Sequence, residues 1–322
     1  MAEKISLAAT VPVELGGNRL DQVVAQLFPE HSRSRLTGWI KSGELLVDGK
    51  QLRPRDKVLG GEAISLGAEL QVENRWEAEA IDLDVVYEDD HILVLNKPAG
   101  LVVHPAAGNH DGTLLNALLH HCPGIASVPR AGIVHRLDKD TTGLMVVAKT
   151  LEAQTDLVGQ LQDRSMGREY EAVVTGVMTG GGTVDEPMAR HPKNRLKMSV
   201  YPMGKEAITH YRVLARFRAH THIRVKLETG RTHQIRVHMA HIHYPLVGDP
   251  LYAGRTRLPR GVSEDLQEHL RDFQRQALHA RKLELWHPAT GEQMSWEVDL
   301  PADIVALLEA LAADGKLVES YE

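Results

Sequence analysis

Apolar residues recur at helical spacing near the start of the chain, at Leu20, Val23, Val24 and Leu27. Positions three or four apart fall on one face of a helix, so the pattern predicts a short amphipathic helix. We expect this helix to end at Phe28-Pro29, because proline lacks the amide proton that would continue the helical hydrogen bonds.

A second helix is expected after Ser32, because serine is a favoured N-cap residue. The apolar positions of this helix are Leu36, Trp39 and Ile40. Its other face carries the cations Arg33, Arg35 and Lys41. The pattern therefore predicts a helix with one packing face and one basic face.

A small sheet is expected after the two helices. Residues 45–50 run from an apolar segment into Asp48-Gly49, a dipeptide typical of two-residue hairpin turns. Ala63 to Leu66 form a later β-type run. We predict that this N-terminal region folds as a compact module of two helices and a small sheet.

The rest of the chain is dominated by short β-type runs, at residues 92–95, 144–148, 171–174 and 223–227. Helical patterns lie between them at residues 114–119 and 151–161. Strands and helices do not alternate one for one, as a doubly wound parallel sheet requires, and no internal repeat is visible. We predict an α+β fold with a mixed, largely antiparallel sheet.

Two domains of unequal size are expected from the length of 322 residues. The acidic stretch 71–84 lacks clear periodicity and separates the two patterned regions. We predict a first domain over residues 1–75, a linker that reaches about residue 84, and a larger domain over residues 85–322.

The composition, with 43% hydrophobic and 25% charged residues, is typical of a folded, soluble protein. The first ten residues lack the apolar core of a signal peptide, and no apolar run approaches the roughly 20 residues that span a bilayer. The single cysteine, Cys122, excludes an internal disulfide and the usual Cys-x-x-Cys zinc patterns. We expect a cytoplasmic protein without membrane contact.

Charge is distributed unevenly along the chain. The net charge of −6 argues weakly against a nucleic-acid partner. Residues 186–236, however, hold twelve Lys or Arg against three Glu, and residues 31–57 hold seven basic against three acidic residues. Both stretches could face phosphates, and the acidic residues concentrate elsewhere, as in residues 71–90.

Two kinds of ligand site are not expected. No glycine pattern has the spacing of a nucleotide-binding loop or a P-loop, so we predict no nucleotide cofactor. Histidines cluster at His233, His238, His241 and His243, but their spacing matches no metal-ligand pattern. We predict phosphate contacts or local hydrogen bonds for them, and no metal site.

The segment from His135 to Leu144 places opposed charges around one leucine and then turns through Thr-Thr-Gly. Apolar runs that we interpret as strands flank it, at 133–134 and 144–147. The charged side chains should therefore emerge at a sheet edge or a cleft, where functional residues are often found. A charged surface turn is the alternative interpretation.

Five segments resemble motifs of the RluA family of pseudouridine synthases and occur in the family's order. They are Asn96 to Leu101, His135 to Leu144 with Asp138, Arg168 to Ala172, Gly230 to His238, and His243 to Asp249. One short motif would be a weak signal, but five motifs in the family's order over about 150 residues are a specific one. The resemblance implies an enzyme that isomerises uridine without a cofactor.

The resemblance also implies roles for individual residues. Asp138 matches the catalytic aspartate, Arg236 the cation that orients and ionises it, and Tyr170 the active-site tyrosine. Arg136 matches the residue that occupies the space of the flipped base. Arg231 and His233 are expected to bind RNA, while Lys97, His104 and Lys139 are candidates for RNA contact or for supporting the site.

The N-terminal module resembles the S4 RNA-binding domain over residues 17–70, which makes Arg33, Arg35 and Lys41 candidates for RNA binding. Within the RluA family, residues 130–134, 139–142 and the insertion 255–275 resemble members that act on bacterial large-subunit ribosomal RNA. The implied substrate is the helix 69 stem-loop of 23S rRNA, either free or within the 50S subunit or its precursor. Nothing in the sequence requires more than a monomer.

Two other functions remain open at the level of sequence. A uridine methyltransferase usually uses a cysteine nucleophile, and Cys122 beside Pro123 offers one, although no loop for S-adenosylmethionine is visible. An RNA-binding or ribosome-assembly factor could keep the same fold without catalysis. Asp138 and Arg236 would then form only a buried structural ion pair.

Overall fold

The computed structural model of the chain describes residues 3–29, 31, 33–70, 76–106, 108–254, 258–259 and 261–319. The chain divides into two compact units, Met1–Arg75 and Trp76–Glu322. Each unit has hydrophobic core clusters of its own.

The described part of the N-terminal unit contains β1 (Glu3–Thr10), α1 (Leu20–Leu27), α2 (Arg33–Ser42), β2 (Leu45–Val47) and β3 (Ala63–Leu70). The strands form an antiparallel sheet in the order β1-β3-β2. Both predicted helices and both predicted strands are confirmed. The sequence did not predict β1, which pairs along its whole length with β3, more than 50 residues away along the chain.

Local residue chemistry explains the ends of these elements. α1 ends at Leu27 with Phe28 as its C-cap, immediately before the proline. Asp48 and Gly49 both have positive φ angles, 48° and 72°, as a type I′ hairpin turn requires. Ser32, which was predicted to cap α2, lies outside the described residues.

The larger unit contains the strands β4 (Val85–Glu88), β5 (Ile92–Lys97), β6 (Thr142–Ala148), β7 (Gly167–Thr175), β8 (Gly182–Asp185), β9 (Met188–Arg190), β10 (Met198–Val200), β11 (Ile208–Arg216), β12 (His220–Leu227), β13 (Leu278–Trp286) and β14 (Gln293–Glu297). Its helices are α3 (Leu114–His121), α4 (Leu151–Gln162), α5 (Gln234–His241), α6 (Glu264–Asp272) and α7 (Ala302–Glu319). The predicted strands at 92–95, 144–148, 171–174 and 223–227 and the helices at 114–119 and 151–161 all match observed elements.

One large sheet organises this unit, with the strand order β4-β5-β6-β13-β7-β12-β11-β8 and β14 beside β13. The β6–β13 pair is parallel, and the other pairs in this sheet are antiparallel. β9 and β10 form a separate two-stranded sheet. The predicted α+β fold with a mixed, largely antiparallel sheet is confirmed.

β6 lies inside the sheet and is buried along its whole length. Leu144 and Val146 pack into a core cluster with α4, while Met145 and Val147 pack into a cluster with α3. Successive side chains of a strand point to opposite faces, so β6 is covered by helices on both sides. This burial explains why its sequence is an uninterrupted apolar run.

Two segments differ from, or refine, the sequence interpretation. Residues 133–134 do not form a strand, although Ile133 makes a single bridge to Val147. The described part of the segment interpreted as a linker, residues 76–84, lies against the larger unit. Asn116 of α3 donates a side-chain hydrogen bond to the carbonyl of Glu77 at 2.9 Å and accepts the backbone N–H of Glu79 at its own carbonyl at 3.0 Å.

Candidate active site

A cavity of about 890 Å³ opens in the larger unit. Its walls come from the loop before β6, from β7, and from the turn that joins β12 to α5. Besides His104, the sequence-predicted residues that line it are the six assigned to catalysis or RNA binding: Arg136, Asp138, Tyr170, Arg231, His233 and Arg236. The fold therefore brings together side chains that lie up to 100 positions apart in the sequence.

Asp138 and Arg236 form an ion pair at the cavity wall. Nη1 of Arg236 donates to Oδ2 of Asp138 at 2.8 Å. The Arg236 side chain is only 4% exposed, whereas that of Asp138 is 16% exposed and lines the cavity. The carboxylate is thus held by a buried cation while remaining accessible from the cavity.

Asp249 holds the far side of the same guanidinium. Nε and Nη2 of Arg236 donate to its two carboxylate oxygens at 2.7 and 2.9 Å. Oδ1 of Asp249 also accepts the backbone N–H groups of Leu251 and Tyr252. This fork-to-fork pairing fixes the plane of the guanidinium and so fixes the direction in which it meets Asp138.

Burial alone would lower the pKa of Arg236, because desolvation disfavours the charged form. The hydrogen bonds and charge of Asp249, together with the charge of Asp138, outweigh burial and raise the pKa of Arg236 above its ordinary value. Arg236 is therefore a permanent cation.

Gln234, at the first turn of α5, anchors the helix that carries Arg236. Its Oε1 accepts from the hydroxyl of Thr229 at 2.8 Å and from the backbone N–H of Arg231 at 2.9 Å. Its Nε2 donates to the carbonyl of Ile208 and to the hydroxyl of Thr209 on β11. One buried amide thus ties the β12–α5 turn to the neighbouring strand.

His233 lies between Asp138 and a second tyrosine. Its Nε2 is 3.8 Å from Oδ1 of Asp138, and its Nδ1 is 2.7 Å from the hydroxyl of Tyr252. The backbone N–H of Met198 donates to that hydroxyl oxygen, which leaves the Tyr252 proton available for Nδ1. Burial lowers the pKa of His233, and the positive charge of Arg236 lowers it further against the opposing charge of Asp138.

Tyr170 lies on β7 opposite Val225 of β12 and Ala280 of β13, and it is 6% exposed. Burial raises the pKa of Tyr170, and the charge of Asp138 adds to this effect. The phenol is therefore protonated at neutral pH. Tyr170 lines the cavity, and its hydroxyl has no hydrogen-bond partner in the described part of the chain.

Lys97 supports the loop that carries Asp138. It is fully buried, and its ammonium donates to the carbonyls of Pro98, Leu101 and Lys139 at 2.7, 3.0 and 2.8 Å. Burial lowers the pKa of Lys97 to about 8 despite the opposing charges of Asp140 and Asp138. Its burial excludes the direct RNA contact that the sequence left open and leaves the supporting role.

The remaining predicted residues differ in their surroundings. Arg136 is exposed at the cavity and makes no ion pair within the described residues. Arg231 donates from Nε to the carbonyl of Glu206 at 2.9 Å. In the N-terminal unit, Arg33 on α2 donates to the buried carboxylate of Asp21 at 2.7 Å, and its side chain remains 52% exposed.

Arg35 and Lys41 also lie on α2 of the N-terminal unit, with Lys41 in the last turn and exposed. These two cations and Arg33 therefore share one short helix, as the sequence predicted.

Basic side chains dominate the charged lining of the cavity. The arginines are Arg130, Arg136, Arg164, Arg168, Arg231 and Arg236. The acidic residues are Asp138, Glu206 and Glu228. This excess of positive charge suits an anionic polymer.

The clustered histidines do not converge on one point. Both ring nitrogens of His238 are already engaged, with the Thr209 hydroxyl at 2.9 Å and the Glu186 carbonyl at 3.0 Å. Among the residues placed by the structure, no three or more His, Cys, Asp or Glu side chains are arranged to hold a metal ion. Within the same residues, no helix has the length and apolar content needed to cross a membrane.

Sequence reasoning did not assign roles to Asp249, Tyr252 or Arg168. Asp249 ends one of the family-like segments, and Arg168 begins another, so a signal was present for both. Tyr252 lay beyond the matched segments, and only its contacts with His233 and Arg236 identify it.

Comparison with known proteins agrees with the geometry. Residues 91–241 match the RNA pseudouridylate synthase family, and residues 18–64 match the S4 domain. The chain is 67% identical over 314 residues to the ribosomal large subunit pseudouridine synthase D of Pseudomonas aeruginosa, covering 98% of each chain. It is 60% identical over 315 residues to the protein of the same name from Escherichia coli O6:H1, covering 98% of this chain and 97% of that one.

Among solved structures, human RNA pseudouridylate synthase domain containing 4 is similar, with a TM-score of 0.55 and 26% identity. That match covers 71% of this chain and 92% of the human one. Three comparisons lead to one conclusion: the relatives match over almost the whole length, the family model matches the region that forms the cavity, and a solved structure has a similar fold. The chain belongs to the RNA pseudouridylate synthase family.

Proposed function

We propose that this pseudouridine synthase converts uridines of large-subunit ribosomal RNA into pseudouridine, with Asp138 as the nucleophile. Its full-length relatives are named for the ribosomal large subunit, and the S4 match is to an RNA-binding type of domain. The specific target that we propose is the helix 69 stem-loop of 23S rRNA. The observation that carries the role of Asp138 is its 2.8 Å bond to Arg236 at the wall of a basic cavity.

The reaction breaks the bond between N1 of uracil and C1′ of ribose and forms a bond between C5 and C1′. The proton at C5 is lost and N1 gains one, so the product is an isomer and no cofactor is consumed. Asp138 can act by covalent attack on the sugar or the base, or by removing the C2′ proton. Arg236 holds its carboxylate in a fixed orientation for each of these routes through the 2.8 Å hydrogen bond.

Tyr170 is proposed to pack against the flipped base and to help remove the C5 proton in the last step. The raised pKa of Tyr170 means that the phenol starts protonated. To accept the C5 proton, it must therefore pass its own proton to an acceptor, such as the carboxylate of Asp138 after its release from the substrate.

Arg136 is proposed to fill the space that the flipped base leaves. It is exposed at the cavity and free of ion pairs with other described residues, so its guanidinium can reach into the RNA. We assign Arg231 and His233 to contacts with the RNA near the target nucleotide. Arg33, Arg35 and Lys41 would contact RNA from the S4-like unit.

Two rival functions can be weighed against these observations. A cysteine-dependent methyltransferase would need Cys122 at the site, but Cys122 caps the end of α3 and does not line the cavity. A non-catalytic RNA-binding factor would have no need for a carboxylate held by a buried arginine and still open to the cavity. A buried ion pair contributes little net stability, so stability alone does not account for this arrangement.

Tritium release from 23S rRNA labelled at C5 of uridine tests the proposal, with no added cofactor. We expect release by the wild type and none by Asp138→Ala. Asp140→Ala is the matched control, because Asp140 lies two residues away and does not line the cavity. Equal release by wild type and Asp138→Ala, or no release by either, would contradict the assignment of Asp138.

The cellular context of the enzyme follows from its proposed substrate. We infer that it acts as a monomer in the cytoplasm, on free 23S rRNA or on the 50S subunit or its precursor. Sequencing of pseudouridines in ribosomal RNA from cells without the protein would identify the modified positions. Unchanged modification of helix 69 in those cells would exclude the proposed target.

A further inference from the structure

Arg168 is a buried cation in the wall of the cavity. It lies on β7 two residues before Tyr170, so both side chains point to the same face of the strand. Arg168 is 7% exposed, and both residues line the cavity. The established chemistry of the site does not use it.

The guanidinium of Arg168 has no acceptor among the described residues. Its Nε is fully buried without a hydrogen-bond partner, and no carboxylate of the described chain pairs with the group. The neighbouring arginines of the cavity differ. Arg164 donates to Glu228 at 2.8 Å and to Glu206 at 2.6 Å, and Arg236 is held by two carboxylates.

The β12–α5 turn leaves room for this side chain. A Cβ atom added to Gly230 would lie 2.7 Å from Nη1 of Arg168. Any residue with a side chain at position 230 would therefore displace the guanidinium. The absence of a side chain there lets Arg168 lie directly against the backbone of the turn that also carries Arg231 and His233.

A buried cation without a counter-charge destabilises a folded protein, because desolvation is not repaid by an ion pair. Its positive field acts on the neighbouring groups of the site. The charge of Arg168 opposes the burial that raises the pKa of Tyr170, and it adds to the burial that lowers the pKa of His135 to about 3. A bound anion would neutralise this field and supply the missing acceptors.

We propose that Arg168 binds a backbone phosphate of the target nucleotide. This inference rests on the proposed function, since it takes RNA as the substrate. Phosphate is the anionic group of RNA, and its oxygens match the planar fork of a guanidinium. Two residues along a strand span about 7 Å. That separation lets Tyr170 meet the base while Arg168 meets the backbone of the same nucleotide.

An RNA-free measurement tests the anion site by itself. The Tm of the wild type and of Arg168→Met is measured with and without inorganic phosphate. We expect Arg168→Met to melt about 2–4 °C higher than the wild type without phosphate, because the unpaired charge is gone. Phosphate should raise the Tm of the wild type clearly more than that of the variant, which keeps only the general stabilising effect of this salt.

A control variant separates this effect from the loss of any arginine. Arg281 lies on β13, outside the cavity, with Glu297 at 3.1 Å and Asp299 at 3.1 Å. Arg281→Met should melt lower than the wild type and keep the response to phosphate. A lower Tm for Arg168→Met, with no loss of the phosphate response, would overturn the proposal.

Binding of the RNA substrate supplies the second readout. Arg168→Met should weaken RNA binding about tenfold and reduce the slope of log affinity against log salt by roughly 0.7 to 1. Arg168→Lys should restore that slope, because it restores the charge. A methylphosphonate, which lacks the anionic oxygen, is then placed beside the target uridine. It should weaken binding by the wild type but not by Arg168→Met.

The outcomes separate the two proposals. If pseudouridine forms but the salt slope of Arg168→Met equals that of the wild type, the phosphate role is wrong and the function stands. If Arg168→Met forms pseudouridine more slowly but keeps the wild-type dependence of log affinity on log salt, Arg168 instead donates to a uracil carbonyl. If no pseudouridine forms while phosphate protects only proteins with Arg168, the anion site stands and the proposed function fails.

Discussion

Asp249 and Asp138 share one guanidinium, yet replacing each with asparagine should have opposite consequences. Asp249 is fully buried and accepts four hydrogen bonds, two from Arg236 and two from backbone N–H groups. An asparagine at 249 would turn its amide nitrogen toward at least one of these donors. Asp138 accepts a single side-chain bond from Arg236 and is open to the cavity, so asparagine can be accommodated there.

The magnitudes follow from burial and charge. Removing one partner of a buried ion pair typically costs about 3–5 kcal/mol, which for a unit of the size of Trp76–Glu322 lowers the Tm by about 6–20 °C. Asp249→Asn should reach this range. Asp138→Asn should change the free energy of unfolding by about 1 kcal/mol or less, because Arg236 keeps its bidentate partner and the group of three charges becomes a neutral pair.

Scanning calorimetry and tritium release together provide the assay. We expect Asp138→Asn to melt near the wild type and to release no tritium. Asp249→Asn should melt much lower and, at a temperature where it remains folded, should release tritium more slowly because Arg236 is no longer fixed. If the two variants had equal Tm values, or if Asp138→Asn were the less stable, the proposed division of roles around Arg236 would be refuted.

Three further substitutions test the other parts of the site. Arg136→Ala should bind RNA within a fewfold of the wild type but lower turnover by at least about tenfold, and equal losses of both would contradict a role in base flipping. Tyr170→Phe should lower turnover by about 100-fold. It should not lower the Tm, because the hydroxyl has no hydrogen-bond partner among the described residues. Unchanged turnover would exclude a role of Tyr170 in proton transfer. Lys97, with its pKa lowered to about 8, should lose its proton as the pH rises through that value and release part of its hold on the carbonyl of Lys139. Turnover should fall as the pH rises through about 8. The folded state should become more stable over the same pH range, because lysine in the unfolded chain keeps its ordinary pKa of 10.5 and so binds more protons than Lys97 in the folded chain. The loss of turnover should be absent in Lys97→Arg, and its persistence would assign the pH dependence to another group.

The sequence determined those parts of the protein that local chemistry controls. Short β-type runs predicted the strands β5, β6, β7 and β12, and helical spacing predicted the helices α1 to α4. Proline and Asp-Gly placed the end of α1 and the first hairpin. The ordered segments around Asp138, Tyr170 and Arg236 indicated the family and the reacting residues before any distance was known.

Other elements could not be predicted because their stability comes from distant partners. β1 depends on eight pairs with β3. α5 has only eight residues, and its buried positions include Gln234, Arg236 and His238, so it lacks the separation of polar and apolar faces that marks a helix in sequence. Tertiary hydrogen bonds to β11 and to Asp249, rather than apolar packing alone, hold it in place.

Only the tertiary structure decided how the charges are shared. Apart from the Asp138–Arg236 pair, which the family resemblance implied, the sequence does not show which arginines pair with which carboxylates. The fold gives Arg236 two carboxylates and encloses Lys97 among three carbonyls. It leaves Arg168 buried with no partner in the part of the chain that the structure describes. Electrostatic energy depends on distance and on exclusion of water, and both are set when strands remote in sequence become neighbours in the sheet. The identity of the reacting residues was therefore readable from the chain, whereas their hydrogen bonds and orientation are properties of the fold.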